Sequence, residues 1–327
     1  MTELLTSPFL GTPAWFWLAF LALVAGLTAL DLGLLNRRDR DMGIGESLRL
    51  SAFYIAIAVA FGAWIWLERG ADAGMKYYTG FFIEKALSID NIFVIGMIFS
   101  FFAIPSRYQY RALVWGILGV IVLRGAMIAA GAALVAQAHW VLYLFAAFLV
   151  FTGIKMLRGG DSEPDLANNP AIRWLSARMN VTPELHGQRF LVRVRDARTG
   201  RLVRAATPLL LALVVINVAD LVFAIDSVPA IFAITTDTFI VFTSNIMAIL
   251  GLRALYFALS AMIARFEYLK VALAGVLVFI GSKIFIADFV LDGGKFPPLL
   301  SLGVTFGMIG AGIGWSLWKT RGLPATA

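Results

Sequence analysis

Long apolar runs dominate this sequence and restrict what the chain can fold into. An α-helix needs about 20 apolar residues to cross the hydrocarbon core of a bilayer, and nine runs of roughly that length occur in succession. They lie near 13–35, 48–68, 76–103, 108–136, 139–157, 205–232, 236–263, 268–290 and 296–318. Hydrophobic residues make up 60% of the 327 residues and charged residues 14%, which is outside the range of soluble proteins. We therefore expect an all-α polytopic membrane protein with nine transmembrane helices in a single domain, 1–327.

Lys and Arg residues are distributed very unevenly between the two sides of this nine-span arrangement. Of the 27, nineteen fall on one side, three on the other and five within the spans. Loops rich in Lys and Arg remain cytoplasmic, so the N-terminus is predicted outside and the C-terminus in the cytoplasm. Met1 to Gly11 contains no Lys or Arg, so the basic region of a cleavable signal peptide is not expected there. The net charge of +7 reflects these loops, and the expected partner is the lipid bilayer rather than nucleic acid.

The residue types limit the chemistry that the chain can carry. Cysteine is absent, which excludes disulfides and thiolate metal sites, and the two histidines, His139 and His186, lie at a span boundary and in a loop. No nucleotide-binding glycine loop and no nucleophile–base pair is apparent. We expect neither an enzyme nor a permanently bound cofactor.

One loop, 159–204, is long. It opens with an acidic, turn-rich piece at 159–165 and continues with Phe190, Val192 and Val194 in alternation before a Gly-containing turn. This pattern predicts a β-hairpin. Its arginines favour a position at the cytoplasmic membrane surface, near anionic headgroups.

Two acidic motifs lie inside the apolar runs. Glu84 and Asp90 are six residues apart in the third span, and Asp220 and Asp226 are six apart in the sixth. Ionisable residues at membrane depth are costly, and their default interpretation is functional.

The two motifs belong to a longer internal repeat. Leu149–Lys155 in the fifth span matches Leu277–Lys283 in the eighth, and the fourth and seventh spans share an Ile-Leu-Gly followed by Leu-Arg. The repeats are predicted at 76–157 and 205–290, with opposite topology because the third span enters from outside and the sixth from the cytoplasm. Inverted 3+3 repeats with a substrate site near the midplane are typical of secondary transporters. The other three spans are candidates for packing or for contacts in a homo-oligomer.

Helical geometry indicates which residues of the motifs share a face. Glu84, Ser88 and Asn91 share a face because they are three or four residues apart. The corresponding face of the second copy carries Asn217, Asp220, Ala224 and Ser227. Pro229 removes a backbone donor, so the segment around Asp226 is expected to be kinked or unwound, with Pro229 as a hinge.

Carboxylate, amide and hydroxyl oxygens suit a hard divalent cation such as Mg²⁺, Ca²⁺ or Mn²⁺. The candidate metal ligands are Glu84, Asp90, Asn91, Asn217, Asp220, Asp226 and Ser227. Carboxylates in low-dielectric surroundings also bind protons more readily than in water, so metal–proton exchange is a reasonable hypothesis.

Five basic residues within the spans are candidate supporting or coupling charges: Lys85, Arg124, Lys155, Arg253 and Lys283. The alternative is that the carboxylates form interhelical ion pairs with them that fix the bundle. Lys155 and Lys283 could instead lie near helix ends and extend toward the membrane surface.

The segments Glu84–Val94 and Asp220–Ala233, together with Thr243–Ile246 and Gly251–Phe257, resemble the TerC/Alx family of bacterial integral membrane proteins. The resemblance runs from the first span to the ninth. It implies a bacterial inner-membrane protein of the LysE exporter type, associated with manganese export and with tellurium resistance. It also implies that Glu84, Asp90, Asp220 and Asp226 lie in the manganese pathway. The family pattern has an acid where this chain has Asn217, which removes one negative charge.

Two functions from different classes remain open. The first is a secondary exporter of a divalent cation. The second is a non-transporting membrane component that assists tellurite resistance or membrane-protein assembly through the 159–204 loop.

Overall fold

The computed structural model describes residues 7–30, 43–138, 140–158, 180–182, 184–195, 201–259, 269–289 and 297–320. The side chains of a few residues in the helices, Asp90 and Asp226 among them, are outside this description, as are His139 and the predicted acidic turn at 159–165. The described helices are α1 (Ala14–Leu30), α2 (Ile44–Arg69), α3 (Ala71–Phe101), α4 (Ser106–Gln137), α5 (Val141–Leu157), α6 (Pro208–Phe232), α7 (Thr238–Leu250), α8 (Leu252–Leu259), α9 (Leu269–Phe289) and α10 (Pro298–Lys319). The described strands are β1 (Pro8–Phe9), β2 (Thr12–Pro13), β3 (Asn180–Val181), β4 (Leu191–Arg195) and β5 (Leu202–Ala206).

Each predicted span coincides with helix in the described residues, and the seventh is divided at Gly251 into α7 and α8. Six helical stretches of this described part are long and apolar enough to cross a membrane. They are 44–69, 106–137, 208–232, 238–258, 271–289 and 300–319. The apolar helices α1 and α5 have 17 residues each, and α3 carries its motif charges within its apolar part. The fold is therefore that of an all-α membrane protein, and the crossing of α1, α3 and α5 stays a prediction.

The helices that carry the acidic motifs, α3 and α6, lie at the centre of the bundle. α3 packs against α2, α6 and α7, whereas α6 packs against α4 and α5. An aromatic cluster joins α1 to this centre, with the rings of Phe16 and Trp17 packed edge-on against Phe239 of α7. α3 and α6 pack among other helices, and the described polar residues of their motifs are buried in protein: Glu84, Asn91, Asp220 and Ser227.

α5 and α9 approach closely because each contributes a glycine to their crossing. A Cβ atom on Gly153 would lie 2.6 Å from the carbonyl oxygen of Ala274, and one on Gly281 would lie 2.5 Å from that of Ala146. Ala274 precedes Gly281 by seven residues, and Ala146 precedes Gly153 by the same number, so the two contacts are reciprocal. Small residues that let backbones approach in this way are the usual means of packing helices in membranes.

The expectation was a kinked or unwound segment around Asp226; unwinding is wrong, whereas a kink at Pro229 stays a prediction. α6 continues through Pro229 to Phe232. Pro229 lies in the last turn, so the only helical hydrogen bond it removes is its own, to the carbonyl of Ile225. The turn is completed beyond it by the Ala233 amide, which donates to the Pro229 carbonyl at 2.9 Å.

The long loop contains the paired strands that the alternation of its sequence predicts. β4 runs antiparallel to β5, with Arg193 opposite Arg204, while the turn between them at 196–200 is outside the described residues. The short strand β3 adds a parallel pairing to β5 that the sequence did not indicate. The Thr207 hydroxyl donates to the Arg189 carbonyl at 2.8 Å, and the Arg111 guanidinium lies 5.5 Å from the centre of the Phe190 ring. The sheet is thereby attached where α4 and α6 begin, and we call this end of the bundle the sheet end.

Candidate functional site

A buried arginine, Arg124 of α4, lies between the two acidic motifs. Its side chain is 1% exposed. Nε donates to Oδ2 of Asp220 at 2.9 Å, and Nη2 donates to Oδ1 of the same carboxylate at 2.9 Å. Parallel contacts of this kind are the strongest geometry available to a guanidinium and a carboxylate.

The remaining side of the guanidinium is bound by α3, α6 and α7. Nη1 donates to Oε1 of Glu84, to the hydroxyl of Ser227 at 3.2 Å and to Oδ1 of Asn245 at 3.1 Å. Two amides complete the network: Asn245 Nδ2 donates to Oε2 of Glu84 at 3.1 Å, and Asn91 Nδ2 donates to Oδ1 of Asp220 at 3.2 Å. We call this set the Arg124 cluster, and its members are Glu84, Asn91, Arg124, Asp220, Ser227 and Asn245.

The spacing within the motifs explains why these residues meet. Glu84 and Asn91 are seven residues apart on α3, as are Asp220 and Ser227 on α6, and two helical turns return to the same face. The position between them is Ser88 on α3, whose hydroxyl donates to the Glu84 carbonyl of its own helix at 2.7 Å. The helix faces that carry Glu84 and Asn91 on α3 and Asp220 and Ser227 on α6 are thus the faces directed toward Arg124.

The other predicted ligands have different surroundings. Asp90 and Asp226 lie on α3 and α6, but their side chains are outside the described residues. Asn217 donates to the Leu213 carbonyl of its own helix at 2.8 Å. Its Oδ1 is buried against Gly119 and has no hydrogen-bond partner among the described residues. The described contacts therefore do not bring Asn217 into the cluster.

Of the predicted supporting charges, only Arg124 joins the carboxylates among the described contacts. Lys85 extends away from Glu84, and its Nζ donates to the Ala248 carbonyl in the last turn of α7 at 3.0 Å. Lys283 is buried, with Nζ 3.3 Å from the hydroxyl of Ser301 on α10. Lys155 is exposed in the last turn of α5.

Asn245 is a cluster residue that sequence reasoning missed. It is fully buried in α7 and contacts both Arg124 and Glu84. The available signal was the amide itself, because a polar side chain at membrane depth usually binds a partner on another helix. The Thr-Ser-Asn run at 243–245 carries that signal.

The charges of the cluster do not cancel. Two carboxylates, Glu84 and Asp220, face one guanidinium, which leaves one excess negative charge when all three groups are ionised. Each of the six residues is at most 6% exposed. Within the described residues, no three acidic or histidine side chains are placed together as metal ligands. The cation that the two carboxylates bind in this structure is the Arg124 guanidinium.

A cavity of about 30 Å³ reaches the cluster from the sheet end. Its wall includes Asn91 and Asp220 of the cluster. Beyond them it is lined mainly by apolar residues of α3, α4, α6, α7 and α8 that lie on the sheet-end side, with the guanidinium of Arg253 4.6 Å from the Tyr110 ring centre. Tyr256 lies at the far end, where its hydroxyl donates to Oε1 of Gln109 at 3.1 Å. A small cation in this cavity would meet Asp220 first.

Comparison with known proteins identifies close relatives along nearly the whole chain. The family model described as "Integral membrane protein TerC family" matches residues 69–322. The chain is 44% identical over 321 residues to the "Uncharacterized membrane protein STKORF319" of Myxococcus xanthus, covering 98% of this chain and 97% of the relative. It is 45% identical over 297 residues to an "Uncharacterized membrane protein" of Rickettsia felis, covering 91% and 95%.

A third relative carries a name that suggests a role. The chain is 42% identical over 308 residues to the "Putative membrane-bound redox modulator Alx" of Escherichia coli strain K12, covering 91% of this chain and 92% of the relative. No solved structure matches the chain.

Proposed function

Since the chain belongs to the TerC family of integral membrane proteins and crosses the membrane several times, we propose that it is a secondary transporter that exports a divalent cation through the Arg124 cluster. Mn²⁺ is the proposed cargo and protons are the proposed counter-ion. The proposed location is the bacterial inner membrane.

The observation that carries this proposal is a cage of oxygen atoms around a positive group at the centre of the bundle. Oxygens of Glu84, Asp220, Ser227 and Asn245 all point at the Arg124 guanidinium. A cation that replaced the guanidinium would find two carboxylates, a hydroxyl and an amide oxygen. Hard divalent cations prefer this donor set, and Asp90 and Asp226 are proposed to supply further carboxylates.

The cavity supports loading from the sheet end. On the other side of the cluster the helices are closely packed: a Cβ on Gly80 would lie 2.8 Å from the Ser244 hydroxyl, and one on Gly131 would lie 2.8 Å from the Phe232 ring. The sheet end is rich in arginine, so the positive-inside rule favours a cytoplasmic position for it. The N-terminus is then outside and the C-terminus cytoplasmic, and an ion loaded from the cytoplasm leaves by export.

We also propose that α3–α5 and α6–α9 form the two inverted repeats, 76–157 and 205–290. The reciprocal contacts of Gly153 and Gly281 support this, because a pseudo-twofold axis between α5 and α9 produces such a pair. The packing of α3 on α7 and of α6 on α4 supports it too, since the same axis exchanges these pairs. Alternating access could then follow from motion of one repeat against the other, with Pro229 as a proposed hinge.

The experiment is Mn²⁺ flux in proteoliposomes with an applied pH gradient, comparing wild type with Asp90→Asn, Asp220→Asn and Asp226→Asn. Asp72→Asn is the matched control, because Asp72 lies on the exposed first turn of α3 and its partner among the described ion pairs is Lys76. Wild type and the control should transport, and the three cluster and motif variants should not. Dependence on the gradient would identify protons as the counter-ion. A verified reconstitution of wild type that moves no divalent ion contradicts the proposal.

A wild-type protein that moves no divalent ion would favour a non-transporting role in stress resistance or membrane-protein assembly. The observation that supports this second function is the three-stranded sheet, which is attached at the sheet end through Thr207 and Arg111. Deleting the sheet should abolish such a role, whereas Asp220→Asn should leave it intact. A redox role, as the name of the Escherichia coli relative suggests, could not use thiols of this chain, since it has no cysteine.

A further inference from the structure

The Arg124 guanidinium lies where the proposed cargo must bind, which raises the question of how both can use one site. We propose that Arg124 is a tethered competitor cation: its guanidinium fills the oxygen cage between cargo ions, and each ion must displace it. This inference rests on the proposed function, because it assigns a positioning role to Arg124 in the transport of the same ion.

Every oxygen of the two carboxylates already accepts a hydrogen bond. Both oxygens of Asp220 accept from Arg124, and the two oxygens of Glu84 accept from Arg124 and Asn245. A divalent ion at the centre of these donors would occupy the position of the guanidinium, so the contacts to Arg124 must break first. Repulsion between the two positive charges in buried, low-dielectric surroundings disfavours simultaneous occupancy as well.

A cavity lies on the side toward which the displaced side chain would move. Helical side chains lean toward the N-terminus of their helix, which for α4 is the sheet end. On that side the cavity wall includes Val120, one turn before Arg124, and Asp220, to which the guanidinium is already bound. Arg124 can therefore withdraw toward the cavity while keeping Asp220 as a partner, and this frees Glu84 and Asn245 for the ion.

Arg124 also changes how the negative charges of the cluster are compensated when no metal ion is bound. With Arg124 in the cage, one of the two negative charges of Glu84 and Asp220 is compensated without a proton. Without Arg124, protons alone compete with the metal ion for these carboxylates. Metal affinity should then be higher, and it should depend more steeply on pH.

The test is Mn²⁺ binding to purified full-length protein in detergent, followed from pH 6 to pH 8 by the electron paramagnetic resonance of free Mn²⁺. Arg124→Gln should bind Mn²⁺ at least about tenfold more tightly than wild type at pH 8, with a steeper loss of affinity toward pH 6. Arg69→Gln is the control, because it removes an arginine from an ion pair with Asp237 outside the cluster. Its Mn²⁺ affinity and pH dependence should equal those of wild type.

A folded Arg124→Gln protein whose Mn²⁺ affinity equals or falls below that of wild type overturns the inference. Should Arg124→Gln not fold, Arg124→Lys decides, because a lysine keeps the charge but cannot bind Asp220 through two parallel contacts and so competes less well. Tighter Mn²⁺ binding by Arg124→Lys supports the inference, and equal or weaker binding overturns it. Failure of the proposed function is a separate result: wild type would then move no divalent ion in proteoliposomes, whatever the variants bind.

Discussion

Arg124 is bound on two sides by carboxylates that come from different helices, and this determines what single substitutions cost. Its guanidinium is almost completely buried, and its charge is compensated only by neighbouring side chains. A buried ion pair adds little net stability compared with apolar residues of the same shape, but removing one partner leaves a charge without compensation. The cluster is therefore sensitive to the loss of a partner even if its net contribution to folding is small.

Asp220→Asn should lower the free energy of unfolding by about 1–3 kcal/mol, because Arg124 loses one of its two parallel contacts while Glu84 still compensates its charge. The measurement is chemical unfolding of the purified protein in detergent micelles. Asp72→Asn is the comparison: it removes an exposed pair with Lys76 four residues away on α3, and such pairs contribute about 0.5 kcal/mol or less. Equal stability of the two variants would show that Arg124 does not depend on Asp220.

The sequence predicted the shared faces of the two motifs but not the partner that joins them. The face containing Glu84 and Asn91 follows from helical periodicity alone, and the structure places both residues in the cluster. Five basic residues lie within the predicted spans, however, and no local rule distinguishes Arg124 from the other four. Its contacts to Glu84 and Asp220 join residues 40 and 96 positions apart, so they depend on how the helices pack.

Among the helices, the crossing of α5 and α9 depends on glycine at two positions. Gly153→Ala and Gly281→Ala should each weaken it by a similar amount, because each new Cβ would meet a backbone carbonyl at 2.6 or 2.5 Å, and a backbone cannot rotate away. Overpacking of this kind costs about 1–3 kcal/mol. Thermal unfolding in detergent should show a lowered midpoint for both variants.

Gly307→Ala in α10 is the matched control for these two changes. A Cβ at Gly307 would meet no atom within 4 Å, and alanine is the better helix former by about 0.5–1 kcal/mol. Its midpoint should stay the same or rise. A Gly153 variant as stable as the Gly307 variant would contradict the close approach of α5 and α9.

The start of α7 leads to a second prediction for the helices. Asp237 accepts hydrogen bonds from the amides of Phe239 and Ile240 at 3.0 and 3.2 Å and also pairs with Arg69 at 2.8 Å. Asp237→Ala should therefore cost about 1–2 kcal/mol through the lost helix cap. Arg69→Gln should cost less, because it leaves the cap in place. Chemical unfolding of the two variants tests the order.

Helices were easier to predict than the features between them. Apolar runs of sufficient length coincide with helix throughout the described residues, because a bilayer requires every backbone group of a span to be hydrogen-bonded within it. The division of the seventh span at Gly251 was not predicted, since hydropathy does not change there. Strand β3 was missed for a different reason: two residues are too few for an alternating pattern.

For the whole molecule, the proposed loading of the ion from the cytoplasm depends on which side of the membrane the sheet end faces. The cavity reaches the cluster from that end, and the opposite side is closely packed. The proposal therefore requires the sheet end to be cytoplasmic. The distribution of Lys and Arg predicts this orientation, and it can be tested directly because the chain has no cysteine to interfere with labelling.

Single cysteines should be introduced at Asp72, which is exposed where α3 begins, and at Arg195, which is exposed at the end of β4. A maleimide that cannot cross the membrane should label Asp72→Cys in intact spheroplasts and Arg195→Cys only after permeabilisation. The wild-type chain is the blank. If Arg195→Cys alone were labelled in intact spheroplasts, the topology would be the opposite of the predicted one. The cavity would then face the outside, ions would reach Asp220 from there, and the same cluster would serve import.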